Sequence, residues 1–253
     1  MSEKVRLGGM ALANGVLVHG PNAWACAVRA DDGAVKVASG YKSIRSAGVE
    51  RRLLQGPVRI AEVFALLPRV RRALPEARLP FERPGVLAAM AFGTALVQLA
   101  RRAESVPALA QELVGAAASL APAALAMRGS ELAAYHGAEH ISIGTYEHDE
   151  PRQREHERCG THLVGPLLTS VALANAVAAK LPAALRPTGR AGATLGAVAV
   201  SMEVFGWMVR HPENPIAKAL ARPGREFQRR FATAEPTPQQ LEVAEVALAA
   251  CLE

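Results

Sequence analysis

Four segments rich in alanine and leucine constrain the fold of this 253-residue chain more than any other feature. The first three contain about 15 to 17 residues each, which is marginal against the roughly 20 that an α-helix needs to span a bilayer. The fourth is long enough but contains Glu203. The pattern therefore predicts either the core helices of a soluble bundle, which composition alone favours, or a set of membrane-embedded helices. The segments are Val86–Ala100, Leu113–Met127, Leu163–Ala179 and Ala191–Val209.

Composition favours helices and a basic surface. Hydrophobic residues make up 50% of the chain but aromatic residues only 4%, so most of the apolar content is Ala, Leu and Val, which favours helices over a sheet sandwich. The net charge is +6, and Arg occurs in short runs beside the apolar segments, such as Arg69–Arg72 and Arg101-Arg102. No nucleic-acid-binding motif accompanies these runs, so we expect no nucleic-acid partner and instead contact with anionic membrane lipid. The three cysteines are odd in number and far apart, which argues against a disulfide framework.

Residues 1–55 are predicted to be a β-rich segment. Two short β-compatible runs, Ala23–Arg29 and Ala34–Ser39, are joined by Asp31-Asp32-Gly33, a favourable hairpin turn. The run from Gly8 to His19 precedes them and can add a third strand. We therefore expect a small N-terminal hairpin or sheet.

Residues 56–253 are predicted to form a helical domain, so the whole chain is expected to be mainly α. Apolar residues at helical spacing predict a helix from Gly56 to Leu74, with a kink at Pro68. A last helix is predicted from Pro238 to Leu252, with Thr237 as its N-cap. Together with the four apolar segments, these elements predict an Ala/Leu-rich helical bundle, either soluble or membrane-embedded.

A cluster of chemically active side chains lies between the second and third apolar segments, at residues 136–162. It begins with His136, Glu139 and His140, which fall within roughly one third of the circumference of a helix. This H-x-x-E-H order is a known metal-hydrolase signature, in which the two His bind one metal ion and the Glu acts on a water. The motif predicts His136 and His140 as metal ligands and Glu139 as the general base.

A second pair of residues supplies further candidate ligands. His156 and Cys159 have the spacing H-x-x-C, and a zinc ion takes three or four N, S or O ligands. With three protein ligands one position stays open for water and the site is catalytic, whereas four ligands close the site and make it structural. Glu147 and Glu150 are alternative third ligands, and the sequence does not rank them against His156. The predicted cofactor is a divalent metal ion, with zinc favoured.

Three central motifs resemble the signature of the YqhQ-like family, a set of bacterial proteins of unknown function that are described as predicted metal-dependent enzymes and usually as membrane proteins. The motifs are Tyr135–His140, Tyr146-Glu147 and His156–Thr161. The resemblance extends to an N-terminal block at residues 8–33 and to a C-terminal block at residues 223–244. It therefore covers nearly the whole chain.

The resemblance implies a helical protein of the bacterial inner membrane, integral or peripheral, with a cytoplasmic location as the alternative. It implies membrane lipid as a partner, and either a homo-oligomer or an assembly with another membrane protein. The chain departs from the family pattern at Asn14, Ile141 and His162-Leu163. The site residues that the resemblance implies, by position, are His136, Glu139, His140, Glu147, His156 and Cys159.

Three hypotheses for the function follow. The first is a metal-dependent enzyme that hydrolyses an amide or an ester, whose substrate the sequence does not identify. The second is a membrane-associated structural or scaffold protein, in which the same residues form a closed structural metal site. The third is a metal-free helical protein, in which the cluster is a hydrogen-bonded polar network.

Overall fold

The computed structural model describes residues 4–42, 48–50, 52–103 and 106–253. These residues form a mainly helical protein with one small antiparallel sheet near the N-terminus, as the sequence predicted. Within the predicted β-rich segment 1–55, residues 1–3, 43–47 and 51 lie outside the described residues.

The sheet contains four strands in sequential antiparallel order, namely β1 (Gly8–Leu12), β2 (Gly15–His19), β3 (Ala23–Arg29) and β4 (Val35–Tyr41). The run from Gly8 to His19, expected to give one further strand, forms the β1–β2 hairpin. The predicted turn between β3 and β4 is present, with Gly33 at a φ of 86°, a left-handed conformation that glycine adopts without steric cost.

Helices make up most of the rest of the described chain. The predicted helix from Gly56 to Leu74 is divided into α1 and α2, and Pro68 lies in the first turn of α2, where its missing N–H costs nothing. The predicted N-cap of the last helix is confirmed, because the Thr237 side chain accepts a hydrogen bond from the backbone N–H of Gln240. The helices are α1 (Arg52–Phe64), α2 (Leu67–Ala73), α3 (Pro84–Arg102), α4 (Ala108–Met127), α5 (Glu131–His148), α6 (Val164–Ala178), α7 (Arg186–Arg210), α8 (Pro215–Phe227) and α9 (Pro238–Leu252).

The two central strands of the sheet, β2 and β3, are buried on both faces. Because side chains alternate along a strand, Val16 and Val18 of β2 lie on one face and Leu17 on the other. The first face packs against α5 and α9, and the second packs against α2 and the segment that follows it. The N-terminal β-rich segment and the C-terminal helices therefore share a hydrophobic core.

The four apolar segments form long helices that are mostly exposed. α3 packs against α4, and α6 packs against α7, which makes two helical hairpins. Each hairpin helix contains a stretch long and apolar enough to cross a membrane, and only 11% to 28% of each stretch is buried within the chain. A soluble core helix would be buried far more, as α5 is with 12 of its 18 residues buried. The exposure is therefore compatible with membrane-embedded helices, the second of the two alternatives that the sequence pattern predicted. The stretches are Pro84–Arg102, Ala110–Met127, Gly160–Ala178 and Thr188–Arg210.

Candidate metal centre

Helix α5 carries the H-x-x-E-H motif through the middle of the protein. It begins four residues after α4 ends, and small residues on its surface let other backbone segments approach closely. Gly137 shows this most clearly, because a Cβ there would overlap the carbonyl oxygen of Ala234. The Ala234 N–H donates to the Ala133 carbonyl at 2.9 Å, so the chain that precedes α9 lies directly along α5.

The two motif histidines are held by backbone carbonyl groups. Nδ1 of His136 lies 2.7 Å from the carbonyl oxygen of Ala232, and Nδ1 of His140 lies 2.6 Å from that of Arg154. Because a carbonyl oxygen only accepts hydrogen bonds, each Nδ1 carries the proton and donates it. In a neutral ring, Nε2 then keeps its lone pair, which is the arrangement common to metal-binding histidines.

Cys159 comes from the loop between α5 and α6 and meets the two histidines. Its Sγ lies 3.4 Å from Nε2 of His136, and the ligand atoms of His136, His140 and Cys159 all lie within 4.8 Å of one another. Two ligands bound to one tetrahedral zinc, at bond lengths of about 2.0 Å for nitrogen and 2.3 Å for sulfur, are separated by about 3.5 Å. The observed spacing therefore fits a shared metal ion. We call these three residues the His-His-Cys group.

Local backbone structure favours a thiolate at Cys159. The residue is the N-cap of a short 3₁₀ turn, Gly160–Leu163, that leads into α6, and its Sγ accepts a hydrogen bond from the N–H of Thr161 at 3.5 Å. Burial alone would raise the pKa of this thiol, but the rings of His136 and His140 outweigh burial and hold it well below its ordinary value. Burial alone would lower the pKa of His136, but the Cys159 thiolate outweighs burial and raises the pKa of His136 to about 9.

Without metal, Cys159 and His136 therefore form a thiolate–imidazolium pair, in which the imidazole is buried and the thiolate is partly buried. A metal cation in place of the imidazolium proton would neutralise the thiolate in the same way, and thiolate and neutral imidazole are the forms that bind metal.

Glu139 lies beside the His-His-Cys group and is not part of it. The side chain is only 6% exposed, and burial raises its carboxyl pKa although the rings of His140 and His136 act to lower it. The Glu139 side chain packs directly against Gly9 of β1. Any larger residue there would collide with it, since a Cβ at position 9 would lie 2.7 Å from Cγ of Glu139. A carboxylate that is buried, close to imidazoles and raised in pKa is suited to accept and return a proton near neutral pH.

His156 and Glu147 lie next to the group in a different arrangement. The His156 ring is 5.5 Å from the His140 ring, but its Nδ1 accepts a hydrogen bond from the N–H of Arg158 at 3.2 Å. The lone pair of His156 is therefore used by the backbone, and its Nε2 faces Glu147 at 3.5 Å. Glu147 is also ion-paired with Arg158. Although burial acts to raise the pKa of Glu147, His156 and Arg158 hold it below its ordinary value.

Of the residues predicted as ligands, the structure thus brings together His136, His140 and Cys159. It places His156 and Glu147 beside them, as a pair that supports the loop. Glu150, an alternative ligand from the sequence, is exposed and pairs with Arg152.

Gln228, which the motifs did not identify as a site residue, positions the loop that carries Cys159. Its side chain is 1% exposed and lies in a π-helical turn, Gln228–Ala232, that follows α8. The amide oxygen accepts from the N–H of His156 at 3.2 Å, and the amide nitrogen donates to the His156 carbonyl at 3.3 Å and to Oγ1 of Thr161 at 3.4 Å. The same turn ends at the carbonyl of Ala232 that holds His136. No local pattern in the sequence indicates this role, since it depends on contacts across more than 60 residues.

A cavity of about 480 Å³ lies against the His-His-Cys group and Glu139. This volume is within the range of small-molecule sites, roughly 300 to 1,000 Å³. Apart from the site residues its walls are mostly apolar, and they include Phe64, Phe81 and Met127.

The C-terminal part of the chain, which includes α5, is similar to a known protein family. Residues 129–253 match the family described as "Protein of unknown function (DUF1385)". The match covers 125 of the 253 residues. The DUF1385 match contains the His-His-Cys group, Glu139, Glu147, His156 and Gln228, and it is consistent with the resemblance to the YqhQ-like family. The N-terminal block of that resemblance lies outside the matched residues. Searches of curated proteins and of solved structures gave no match.

Proposed function

We propose that this protein is a membrane-embedded, metal-dependent hydrolase. Its metal ligands are His136, His140 and Cys159, and Glu139 is its general base. The observation that carries the proposal is the pair of Nδ1–H···O=C hydrogen bonds, which leaves the Nε2 atoms of two buried imidazoles beside one partly buried thiolate.

Zinc suits this donor set best, because it binds imidazole and thiolate in tetrahedral geometry. Three protein ligands leave a fourth position for water or substrate. The other two ligands that the sequence predicted are otherwise engaged, since Nδ1 of His156 accepts a backbone N–H and Glu147 is paired with Arg158. These engagements support the open, catalytic form of the site over the closed, structural form.

The residues divide the chemistry among them. A divalent ion in this site supplies Lewis-acid activation of a water and of a carbonyl group. Glu139 takes a proton from the attacking water and returns it to the leaving group, for which its raised pKa is appropriate. The carbonyls of Ala232 and Arg154 keep the histidines oriented, and both imidazole side chains are buried.

The substrate is proposed to be an ester or an amide with an apolar portion. The 480 Å³ cavity beside Glu139 has apolar walls, and the candidate membrane span Gly160–Ala178 begins directly after Cys159. A substrate that enters from the membrane surface would therefore place its polar, reacting end at the metal and its apolar portion along these walls.

The test combines metal analysis with turnover. The purified chain and its Glu139→Gln, His140→Ala and Glu150→Gln variants are analysed for bound metal, and hydrolysis is measured on p-nitrophenyl esters of increasing acyl length. We expect Glu139→Gln to retain metal and lose turnover, and His140→Ala to lose both. Glu150→Gln removes a carboxylate from the exposed loop and should change neither. Loss of metal in Glu139→Gln would show that Glu139 is a ligand, and wild-type protein with no more metal than His140→Ala would refute the proposal.

A second candidate function is a metal-free cysteine enzyme. The 3.4 Å contact between Sγ of Cys159 and Nε2 of His136 is the geometry of a thiolate nucleophile with its general base. This candidate predicts full turnover in the presence of a chelator and a covalent acyl intermediate on Cys159. The metal hydrolase instead loses activity with the chelator and regains it when Zn²⁺ is restored.

A further inference from the structure

A second and larger cavity, of about 700 Å³, lies on the other side of the loop that carries His156. Its walls come from the N-terminal residues 4–6, the loop after α5, the end of α7 and helix α8. It shares His156 and Arg158 with the first cavity, but none of the three residues of the His-His-Cys group lines it. It is therefore a separate compartment beside the candidate metal centre. We call it the basic cavity.

Positive charge predominates in the basic cavity. Six Lys or Arg side chains and three Glu side chains line it. Arg158 and Lys218 are paired with cavity carboxylates, and Lys4 is paired with Asp149. Arg6, Arg210 and Arg225 form no ion pair within the described part of the chain and are exposed to solvent. Three arginines are thus available to a bound anion.

A buried histidine in the wall gives an independent indication of a ligand. His162 is 5% exposed, and its Nδ1 has no hydrogen-bond partner among the described residues. A buried polar atom without a partner costs about 1 to 3 kcal/mol, so native structures rarely retain one without a reason. A ligand oxygen in the basic cavity can satisfy this nitrogen, because His162 lines the cavity.

The position of the basic cavity identifies the kind of ligand. Arg210, the last residue of the candidate span Thr188–Arg210, lines the cavity. His162, near the start of the candidate span Gly160–Ala178, lines it as well. The cavity therefore lies where these helices would leave the hydrocarbon layer, at the level of lipid headgroups. Its wall on the α7 side is apolar and contains Phe205, Met208 and Val209.

We infer that the basic cavity binds the phosphate of an anionic phospholipid headgroup. Arg210 and Arg225 contact the phosphate oxygens, and His162 donates a hydrogen bond to the headgroup. The apolar residues of α7 contact the start of the acyl chains. This inference requires the membrane placement but not the hydrolase activity, because a lipid can bind here whether or not the His-His-Cys group holds a metal.

The experiment compares two double variants that remove the same charge. Full-length protein is reconstituted in nanodiscs of phosphatidylcholine alone or mixed with phosphatidylglycerol, and retained lipid is measured by native mass spectrometry. We expect selective retention of phosphatidylglycerol by the wild type. The variant Arg210→Gln/Arg225→Gln should weaken it about tenfold or more, since each charge-assisted contact to phosphate is worth roughly a factor of ten. The control Arg101→Gln/Arg102→Gln alters the end of α3 and should behave as wild type.

Further variants and ligands distinguish lipid binding from a general effect of charge, from misfolding and from binding of free phosphate. Arg210→Lys/Arg225→Lys keeps the charge and should restore most of the selectivity. Arg6→Gln replaces an exposed residue and should reduce selectivity without affecting folding, so it replaces the double variant if that variant does not fold. Glycerol phosphate and inorganic phosphate are tested against the detergent-solubilised chain. Equal retention of both lipids, or equal loss in the two double variants, would overturn the inference. So would soluble phosphate that binds as tightly as the lipid.

Discussion

Gln228 offers the sharpest test of how the candidate site is assembled, because it holds the metal-binding loop without touching the proposed metal ligands. Its amide forms three hydrogen bonds, two to the backbone of His156 and one to Thr161. We predict that Gln228→Ala weakens metal binding while His136, His140 and Cys159 all remain in the chain.

The magnitude follows from these contacts. Each hydrogen bond contributes about 0.5 to 1.5 kcal/mol net, and truncation of a buried side chain adds a cavity cost, so the free energy of unfolding should fall by about 2 to 4 kcal/mol. Part of this loss falls on the loop that carries Cys159. Because removal of a group that orients a metal ligand typically costs 10- to 100-fold in metal affinity, we expect the zinc dissociation constant of Gln228→Ala to rise by about that factor.

Gln240→Ala is the matched control. Gln240 is also buried, and its amide accepts from the backbone N–H of Thr237 and donates to Glu131, far from the loop. Both variants should lose similar stability in thermal unfolding. Only Gln228→Ala should lose zinc affinity in competition titrations with a chromophoric chelator. Equal zinc affinity in the two variants would refute the role assigned to Gln228.

Three further predictions concern charge and space at the site. In metal-free protein, iodoacetamide at neutral pH should modify Cys159 rapidly, because the lowered pKa of its thiol leaves it as thiolate. Cys26 should stay unmodified, because burial raises the pKa of its thiol to about 12. Mass spectrometry of the labelled chain measures both reactions, and added Zn²⁺ should protect Cys159 from modification. Gly9→Ala should displace the carboxylate of Glu139 and lower turnover while bound metal, measured by elemental analysis, stays unchanged. Because its pKa is lowered in the folded protein, ionised Glu147 stabilises the fold at pH values above the pKa that this carboxyl has in the unfolded chain. This stabilisation is lost as pH falls through the lower pKa of the folded protein. The difference in free energy of unfolding between wild type and Glu147→Gln, measured by denaturation at each pH, should therefore be largest above about pH 5 and shrink in acid.

Sequence reasoning predicted the elements whose signals are local. The four apolar helices, the last helix with its Thr237 cap and the turn at Gly33 all follow from spacing, capping and turn chemistry within a few residues. The H-x-x-E-H face of α5 is local in the same sense, because helical geometry alone places His136 and His140 together.

The remaining features depend on contacts between distant segments and carry no local signal. Whether His156 or Cys159 joins the two histidines is decided by the N–H of Arg158, which occupies Nδ1 of His156, and by Gln228, which fixes the loop backbone. The space for Glu139 depends on Gly9 of a strand 130 residues earlier in the chain. The choice between a soluble and a membrane-embedded bundle also lacked a local signal, since composition does not reveal how much of each helix the rest of the chain covers.

X-ray absorption spectroscopy of the zinc-loaded protein tests the central claim most directly, because it counts the atoms bound to the metal. We predict one sulfur at about 2.3 Å and two imidazole nitrogens near 2.0 Å, with a light atom completing the tetrahedral shell. In Cys159→Ser the sulfur contribution should disappear, whereas Cys26→Ser should leave the spectrum unchanged. A zinc shell without sulfur in the wild type, or a protein that does not bind zinc under these conditions, would contradict the assignment of His136, His140 and Cys159 as a metal centre.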